Sequence, residues 1–350
     1  MNKKIKHFYN TADFSQKEIN NIIDTAIQMK KGKAKKSLSG KSLVALFFNP
    51  SLRTRISFIM AMEKLGGLAI PLDVKEGSYT FEYGEDIVMD KGTMEHIKEA
   101  AKVISRYCNA IAVRSSELIT SKSESVTVSD WEVLKRDTVL KKFMEFATVP
   151  IINMESNIYH PCQGMGDAMT IKEKLGKTKG KKYVLTWAYH PKALPMATPN
   201  SQILAACDLG MDVVVVHPKG WELDSKIISI MGDRVKKTGG SISFKNDMEK
   251  AFEGASIICA KSWGAIGMYG NWEKEKQKKE QLKHWIVNEE KMKKTDNAFF
   301  MHCLPVRRNV EVTDGVLDSK NSIVVDEAEN RMWAQMAMLE YLLKGKNYEQ

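Results

Sequence analysis

Residues 43–55 read LVALFFNPSLRTR, and this stretch decides the fold class of the chain. The six apolar residues Leu43–Phe48 predict a buried strand, and the following Asn-Pro-Ser predicts a turn. Residues 53–65 then predict a helix, which the pair Gly66-Gly67 would end. A buried strand that leads through a short turn into a helix is typical of a parallel α/β sheet.

Two arginines occupy the first turn of this predicted helix, where the helix dipole is itself positive. Arg53 and Arg55 would each cost up to about 1 kcal/mol there. An anion held by the free turn amides, the Ser51 and Thr54 hydroxyls and the Arg53 guanidinium would reverse that cost. The alternative is that both arginines pair with surface carboxylates. Because the turn follows the carboxyl end of a buried strand, where open α/β sheets bind ligands, the sequence favours a phosphate site.

The same alternation of strands and helices covers most of the chain. Up to residue 155 it predicts further strands at 68–74, 109–113 and 149–154, helices at 8–30 and 94–106, and a surface excursion at 115–130. Beyond that point it predicts a helix at 163–176, strands at 183–187, 213–217, 257–260, 298–302 and 323–326, and helices near 200–210, 225–238, 246–253 and 327–344. The expected fold class is therefore α/β, with two doubly wound parallel-sheet domains over residues 1–155 and 156–326. The final helix, in residues 327–350, is expected to pack back on the first domain.

The net charge of +10 invites a nucleic-acid interpretation. Much of it comes from basic runs at 30–36 and 274–280, the second of which is interleaved with acidic residues. Neither run has the aromatic residues of a single-strand platform, so solvated surfaces and no nucleic-acid partner are expected. Steeply salt-dependent binding to DNA or RNA would mark the alternative. The glycine clusters at 164–166 and 264–270 lack a complete Gly-x-Gly-x-x-Gly fingerprint, which argues against a dinucleotide site.

Three further observations bound the class of protein. No run approaches the roughly 18 apolar residues of a membrane span, and no secretory core follows the charged residues 1–6. The five cysteines are odd in number and widely spaced, so neither a disulfide framework nor a zinc cluster is indicated. We expect a cytoplasmic protein with no membrane partner, no metal and no cofactor.

Three motifs resemble those of the aspartate/ornithine transcarbamylase family. They are Ser51-Leu52-Arg53-Thr54-Arg55, His160-Pro161-Cys162-Gln163 and His302-Cys303-Leu304-Pro305, and they occur in the order found in the family. The resemblance implies that carbamoyl phosphate is a substrate. Taken singly, His160 would more often be a turn residue and Arg331 a surface ion-pair residue, and their joint occurrence with the first motif favours a site.

Carbamoyl transfer requires a phosphate clamp, donors for the developing oxyanion and a slot for the attacking amine. The predicted strand at 109–113 delivers Arg114 to the same sheet edge as the phosphate turn. The resemblance implies catalytic roles for Arg53, Thr54, Arg114, His160, Gln163, Cys303 and Leu304, the last two through their main chain. It adds Ser51, Leu52, Pro161, Cys162 and Arg331 to the carbamoyl-phosphate site, together with Tyr79 from a neighbouring subunit.

The attacking amine is indicated by the segment from Ala260 to Ala265. Ornithine transcarbamylases hold the free α-ammonium group with an Asp and a Ser-Met-Gly motif, and this chain has no Ser-Met-Gly. Lys261 would repel an α-ammonium and attract a carboxylate, so an acylated ornithine suits the site better. Residues 182–187, 260–265, 270–273 and 326–331 resemble the N-acetylornithine transcarbamylases, and this resemblance extends over nearly the whole length. It implies that carbamoyl phosphate and N-acetyl-L-ornithine give N-acetyl-L-citrulline and phosphate in arginine biosynthesis.

The resemblance also implies an architecture and an acylornithine site. It implies a homotrimer with shared active sites and a trefoil knot in the second domain, whose loop would be residues 190–195. The residues implied in binding the acylated ornithine are Glu155, Leu194, Lys261 and Arg307, with Met94 and Glu311 as two departures from the subfamily. Met94 stands where acetylornithine enzymes have Glu and succinylornithine enzymes have Pro. Glu311 stands where a carboxylated lysine can occur, and Tyr79 replaces a tryptophan.

Two other functions stay open from the sequence. The first is an N-succinylornithine carbamoyltransferase, because Met94 matches neither subfamily. The second is a noncatalytic metabolite-binding protein with the same fold, since a fold does not guarantee an activity.

Overall fold

The computed structural model describes residues 5–74, 76–116 and 131–344. Its strands are β1 Ser42–Phe47, β2 Leu68–Asp73, β3 Phe81–Glu82, β4 Glu95–His96, β5 Ala110–Arg114, β6 Ile151–Glu155, β7 Lys182–Trp187, β8 Asp212–Val216, β9 Ser241–Lys245, β10 Ile257–Lys261 and β11 Phe299–Met301. Its helices are α1 Gln16–Gln28, α2 Leu52–Lys64, α3 Ile97–Tyr107, α4 Trp131–Leu134, α5 Thr138–Phe146, α6 Pro161–Leu175, α7 Ala197–Asp208, α8 Ser225–Thr238, α9 Met248–Phe252, α10 Trp272–Lys279, α11 Glu289–Met292, α12 Asp314–Leu317 and α13 Val324–Lys344.

Two parallel sheets organise the fold. The first has the strand order β2-β1-β5-β6, and the second has the order β11-β10-β7-β8-β9. In each sheet the chain builds outward on one side of its first strand and then returns to build on the other side. Two switch points result, one between β1 and β5 and one between β7 and β10, which is where doubly wound sheets bind ligands. The predicted α/β class with two such sheets is confirmed.

The opening stretch folds as its residues dictate. The apolar run forms the buried strand β1, and Ser51 caps α2 by accepting a hydrogen bond from the Thr54 amide at 3.3 Å. Gly66 takes a left-handed conformation with φ of +79°, which ends the helix as predicted. The predicted capping box of α1 is also present, because the Ser15 and Glu18 side chains each accept a bond from the other's backbone amide.

Two sequence-based assignments are corrected. Residues 323–326 were expected to form a strand, yet α13 begins at Val324 and only a single bridge joins Phe300 to Ser322. A short apolar run fits a helix start as well as a strand, and Val325 is in fact 74% exposed. The strand β9 was missed because Ser241–Lys245 is a half-exposed edge strand that is rich in polar residues.

Helix α13 ties the two halves of the molecule together. It packs along α6 and also contacts α1 and α2 of the first half. Near its start, Arg331 is buried and donates a hydrogen bond to Thr54 Oγ1 at 3.2 Å. The helix therefore brings a basic side chain from late in the chain to the phosphate turn.

Some expectations fall outside what the structure describes. Most of the surface excursion predicted at 115–130 lies outside the described residues, as do residues 345–350 of the C-terminal segment. The trefoil knot stays a prediction. Across the described ranges, no helix combines the length and apolar character needed to cross a bilayer. The same ranges contain no cluster of three or more His, Cys, Asp or Glu residues suited to a metal ion.

The glycine cluster at 164–166 serves helix packing. A Cβ atom on Gly164 would lie 2.6 Å from the Ser201 carbonyl oxygen of α7. A Cβ atom on Gly166 would lie 3.0 Å from the Cα atom of Arg331 on α13. Both glycines let the backbones of neighbouring helices approach more closely than alanine would allow.

We expect Gly166→Ala to lower the free energy of unfolding by about 1–3 kcal/mol, because the new methyl group must displace α13. The matched control is Gly232→Ala in α8, whose Cβ atom would meet nothing within 4 Å and which should raise stability by up to about 1 kcal/mol. Urea unfolding of both variants measures the difference. Stabilisation by Gly166→Ala would contradict the packing role.

Candidate active site

A cavity of about 460 Å³ opens between the carboxyl ends of the two sheets. The residues predicted from the sequence that line it are Ser51, Leu52, Arg53, Thr54, Arg114, Glu155, His160, Gln163, Leu194, Lys261, Cys303, Leu304 and Arg331. They come from both switch points, since Arg114 ends β5 and Lys261 ends β10. The predicted residues outside the lining are Tyr79, Met94, Pro161, Cys162, Arg307 and Glu311.

Three guanidinium groups converge on the phosphate side of the cavity. The Nε atoms of Arg53, Arg114 and Arg331 are buried, and each lacks a hydrogen-bond partner among the residues that the structure describes. Burial and the charges of Arg331 and Arg114 lower the pKa of Arg53 from its ordinary value. A bound anion would satisfy these donors and relieve the repulsion between the cations.

The second arginine of the opening motif has a structural role. Arg55 pairs with Asp73 of β2, and its guanidinium lies 4.4 Å from the centroid of the Phe47 ring. The surface ion-pair interpretation therefore holds for Arg55, whereas Arg53 faces the cavity.

The His-Pro-Cys-Gln motif forms the first turn of α6. The His160 amide donates to Ser201 Oγ at 2.8 Å, Pro161 occupies the start of the helix, and Cys162 Sγ lies 3.4 Å from the Asn153 carbonyl oxygen. These contacts fix Pro161 and Cys162 in the wall behind the cavity, while the side chains of His160 and Gln163 face it.

The His160 imidazole is neutral at physiological pH. Burial and the nearby cations, of which Arg331 and Arg114 contribute most, lower its pKa well below the ordinary value. A neutral imidazole has one N–H donor and one acceptor nitrogen. His160 can thus donate to a carbonyl oxygen without adding another positive charge to the cavity.

The backbone around Cys303 and Leu304 has an uncommon conformation. Leu304 has φ of +54°, and the Leu304–Pro305 peptide bond is cis. The Leu304 amide donates to His302 Nδ1 at 3.0 Å. Burial raises the pKa of the Cys303 thiol, so this side chain stays protonated and offers no nucleophile. Any contribution of this segment to substrate binding must therefore come mainly from its backbone amide and carbonyl groups.

The other side of the cavity carries charges of both signs. Glu155 pairs with Arg114 and lies 3.6 Å from His160 Nε2. Although desolvation opposes the charged form, the carboxylates of Glu311 and Glu155 help to hold the pKa of Lys261 above its ordinary value. Lys261 is therefore a cation that lines the cavity.

Arg307 and Glu311 lie just behind the lining. The Arg307 Nε atom donates to His190 Nε2 at 3.0 Å, and the Arg307 amide donates to Glu311 Oε2 at 2.8 Å. Burial opposes ionisation of Glu311, but His302, Lys261 and the Arg307 amide outweigh it and lower its pKa to about 2. Glu311 is thus a carboxylate at neutral pH. Its equivalence to a carboxylated lysine stays a prediction.

Tyr79 and Met94 lie on an exposed excursion of the first half. They flank the short strands β3 and β4 and are 50% and 72% exposed, respectively. Neither side chain reaches the cavity of its own chain. Their predicted roles stay predictions, and both positions are open to a second subunit.

The sequence does not assign five of the lining residues to the site, although it names Pro305 in a motif and His190 and Pro195 in the loop at 190–195. They are Pro50, His190, Pro195, Thr198 and Pro305. His190 follows β7, the first strand of the second sheet, so the rule that ligands bind at strand carboxyl ends would have identified its loop. Pro50 precedes the first motif, Pro305 is the last residue of the third, and Thr198 lies in the first turn of α7.

We expect Arg53→Ala to weaken the binding of inorganic phosphate by about 100-fold, or ~3 kcal/mol, because it removes a charge-assisted donor from a desolvated anion. Arg55→Ala, the matched control, should change the affinity less than about threefold, since its ion pair with Asp73 is partly solvated. Titration calorimetry measures both constants. Equal losses in the two variants would contradict the assignment of Arg53 to the clamp.

Comparison with known proteins places the chain in a family. Family models match residues 6–173, described as "Aspartate/ornithine carbamoyltransferase, carbamoyl-P binding domain", and residues 196–342, described as "Aspartate/ornithine carbamoyltransferase, Asp/Orn binding domain". The N-acetylornithine carbamoyltransferase of Xanthomonas campestris pv. campestris is 42% identical over 97% of this chain and 98% of its own length. The N-succinylornithine carbamoyltransferase of Bacteroides thetaiotaomicron is 38% identical over 87% of this chain and 88% of its own length.

A crystal structure of acetylornithine transcarbamylase complexed with acetylcitrulline superposes with a TM-score of 0.92 at 42% identity. The match covers 97% of this chain and 99% of that one. Both halves of the sequence and the whole fold thus agree, and the chain belongs to the aspartate/ornithine carbamoyltransferase family.

Proposed function

We propose that the protein transfers the carbamoyl group of carbamoyl phosphate to the side-chain amine of N-acetyl-L-ornithine, which gives N-acetyl-L-citrulline and phosphate. The charge of the cavity carries this proposal. Its described lining contains four cations, Arg53, Arg114, Lys261 and Arg331, and one carboxylate, Glu155, so its net charge is +3. Behind the lining, the positive charge of Arg307 and the negative charge of Glu311 cancel.

This charge matches one pair of substrates. Carbamoyl phosphate is close to a dianion at neutral pH, and the α-carboxylate of an acylated ornithine adds one negative charge. With the attacking amine neutral, as the reaction requires, the two substrates carry a charge of −3. Free ornithine would bring its α-ammonium group as well and leave one positive charge unbalanced beside Lys261. A succinyl group would add a further negative charge.

The geometry supports direct attack within a ternary complex. The neutral amine nitrogen attacks the carbonyl carbon, the C–N bond forms, and the bond to the phosphate oxygen breaks. The proton lost by the amine leaves with the phosphate. We assign Arg53, Arg114 and the neutral His160, which all line the cavity, as donors to the carbonyl oxygen as it gains charge. No covalent nucleophile is needed, since holding amine and carbonyl together supplies much of the rate.

The division of labour follows the two sheets. We assign carbamoyl phosphate to residues 1–155 and the acylated ornithine to residues 156–326, with the helix in 327–350 returning to the first domain. The relationship to N-acetylornithine carbamoyltransferases supports a place in arginine biosynthesis. Five free cysteines, all of them buried, are compatible with the cytoplasmic location that we propose.

A homotrimer with shared sites is part of the proposal. An apolar face of α2, formed by Leu52, Ile56 and Met60, is exposed to 71%, 52% and 37%. Leu68 and Ile70 of β2 are also exposed. Such a face beside the phosphate turn supports burial by a second copy, which would bring its own Tyr79 and Met94 toward the site.

We expect analytical ultracentrifugation to give a molecular mass of about three times that of the 39.6 kDa chain. Ile56→Glu should shift the mass toward the monomer, because it places a charge in the buried face. As a control, Val103→Glu changes an exposed residue of α3 and should leave the mass unaltered. A monomeric wild type would overturn the trimer while leaving the proposed reaction intact.

The reaction is tested by citrulline-forming assays with ornithine, N-acetylornithine and N-succinylornithine in parallel. We expect the highest kcat/KM with acetylornithine and measurable activity with succinylornithine, because Met94 lacks the charge that would repel a succinyl group. Met94→Glu should suppress the succinylornithine activity more than the acetylornithine activity.

The possible outcomes separate the alternatives. Preference for free ornithine would overturn the acylated substrate, and binding of carbamoyl phosphate without turnover of any amine would favour the noncatalytic alternative. An unchanged ratio of the two kcat/KM values in Met94→Glu would remove Met94 from the acyl pocket.

A further inference from the structure

A pair of buried carboxyl groups holds the Gln163 side chain from behind the cavity. Gln163 Nε2 donates to Asp167 Oδ1 at 2.6 Å and to Glu327 Oε1 at 2.9 Å. Asp167 lies one turn further along α6, and Glu327 comes from α13. All three side chains are completely buried from bulk solvent. Both hydrogens of the Gln163 amide are therefore committed to carboxyl oxygens.

This arrangement dictates where the Gln163 carbonyl oxygen lies. Oε1 is on the opposite side of the amide from Nε2, and it has no hydrogen-bond partner in the described part of the chain. Gln163 also lines the cavity. A flipped amide would bring a carbonyl oxygen against two carboxyl groups that hold one proton between them, so at least one contact would place two acceptors together in a buried site. The free acceptor is thus held away from the carboxyl pair, on a side chain that lines the cavity.

The carboxyl pair is stable because it holds a proton. Burial and the neighbouring Asp167 raise the pKa of Glu327 well above its ordinary value. Two adjacent buried carboxyl groups rarely ionise together, so the pair holds one proton. The second oxygen of Glu327 accepts a bond from the His302 amide at 2.9 Å, which ties the pair to the segment that carries Cys303 and Leu304.

The cavity needs such an acceptor. Arg53, Arg114, Lys261 and Arg331 are all donors, and they suit the oxygens of carbamoyl phosphate. The NH₂ group of carbamoyl phosphate can only donate. An acceptor of fixed direction distinguishes this amide from a ligand that has a methyl group in its place.

We propose that Asp167 and Glu327 are positioning residues that aim the Gln163 carbonyl oxygen at the NH₂ group of carbamoyl phosphate. The inference rests on the proposed function for the identity of this substrate. Glu327 and Arg331 lie four residues apart on α13, so one helix face serves both the amide and the phosphate.

A pair of stable ligands isolates this contact. Phosphonoacetamide has the carbonyl group, the phosphonate and the NH₂ group of the substrate, whereas acetonylphosphonate has a methyl group in place of NH₂. The ratio of their dissociation constants, measured by calorimetry without any amine, reports recognition of the amide. We expect the wild type to prefer phosphonoacetamide by about tenfold, the typical effect of one hydrogen bond.

Glu327→Gln is the decisive variant. The carboxyl group accepts from both the Gln163 amide and the His302 amide, whereas the new amide can accept from only one of them. The other contact then places two donors together, which weakens the support behind Gln163 either directly or through the displaced His302 segment. We expect the preference to fall below about threefold, while the affinity for acetonylphosphonate changes little. The matched control is Glu329→Gln, the same substitution at a half-exposed site on α13, which should keep the full preference.

A double-mutant comparison separates positioning from general damage. Gln163→Ala should abolish the preference, and adding Glu327→Gln should then reduce it no further. The inference is overturned if the wild type shows no preference, if Glu327→Gln retains it, or if Glu327→Gln weakens both ligands equally. Because no amine is present, these outcomes are independent of the turnover assays that test the proposed function.

Discussion

Repulsion among the cations around the cavity is the constraint on which the site depends. Three guanidinium groups and one ammonium group share a space of about 460 Å³, and Glu155 is the one carboxylate among the described lining residues. Such a cluster is costly to assemble and is favoured only when anions occupy it. The fold meets this cost by drawing the cations from separate elements, so that each is anchored by its own strand or helix.

The same constraint explains the neutral groups of the site. Burial and the surrounding cations lower the pKa of His160 and suppress its protonation, and desolvation raises the pKa of the Cys303 thiol and keeps it uncharged. Both can then serve as hydrogen-bonding or packing groups in a strongly positive field. In the proposed reaction, the fixed charges bind both substrates, and the neutral His160 adds an oriented donor for the carbonyl oxygen beside Arg53 and Arg114.

The sequence predicts the structure correctly where residues close together in the chain determine it. The strand, turn and helix around Ser51 could be predicted because apolar runs, a capping serine and a stopping glycine act over a few residues. Contacts between segments that are distant in the sequence could not be predicted in this way. Nothing in the sequence near Arg55 indicates that Asp73 and Phe47 hold it away from the cavity, and nothing near Gln163 points to Glu327.

The predictions that were wrong or missing also depend on contacts between distant segments. The segment 323–326 begins a helix because α13 packs against α6, α1 and α2, and that packing is invisible in four residues. The packing role of Gly166 likewise depends on Arg331, which lies far away in the chain. The family motifs identified most of the lining residues, although these lie far apart in the chain. They did not identify the buried residues behind the lining, such as Asp167 and Glu327.

The position of α13 in the chain also bears on how the protein is made. Synthesis proceeds from the amino terminus, so both sheets leave the ribosome before the helix that carries Glu327 and Arg331. Until that helix docks, the nascent protein has its sheets but lacks part of its anion clamp and the support behind Gln163. A polypeptide released before residue 324 would therefore lack Glu327 and Arg331, and it would leave uncovered the surfaces of α6, α1 and α2 on which α13 packs.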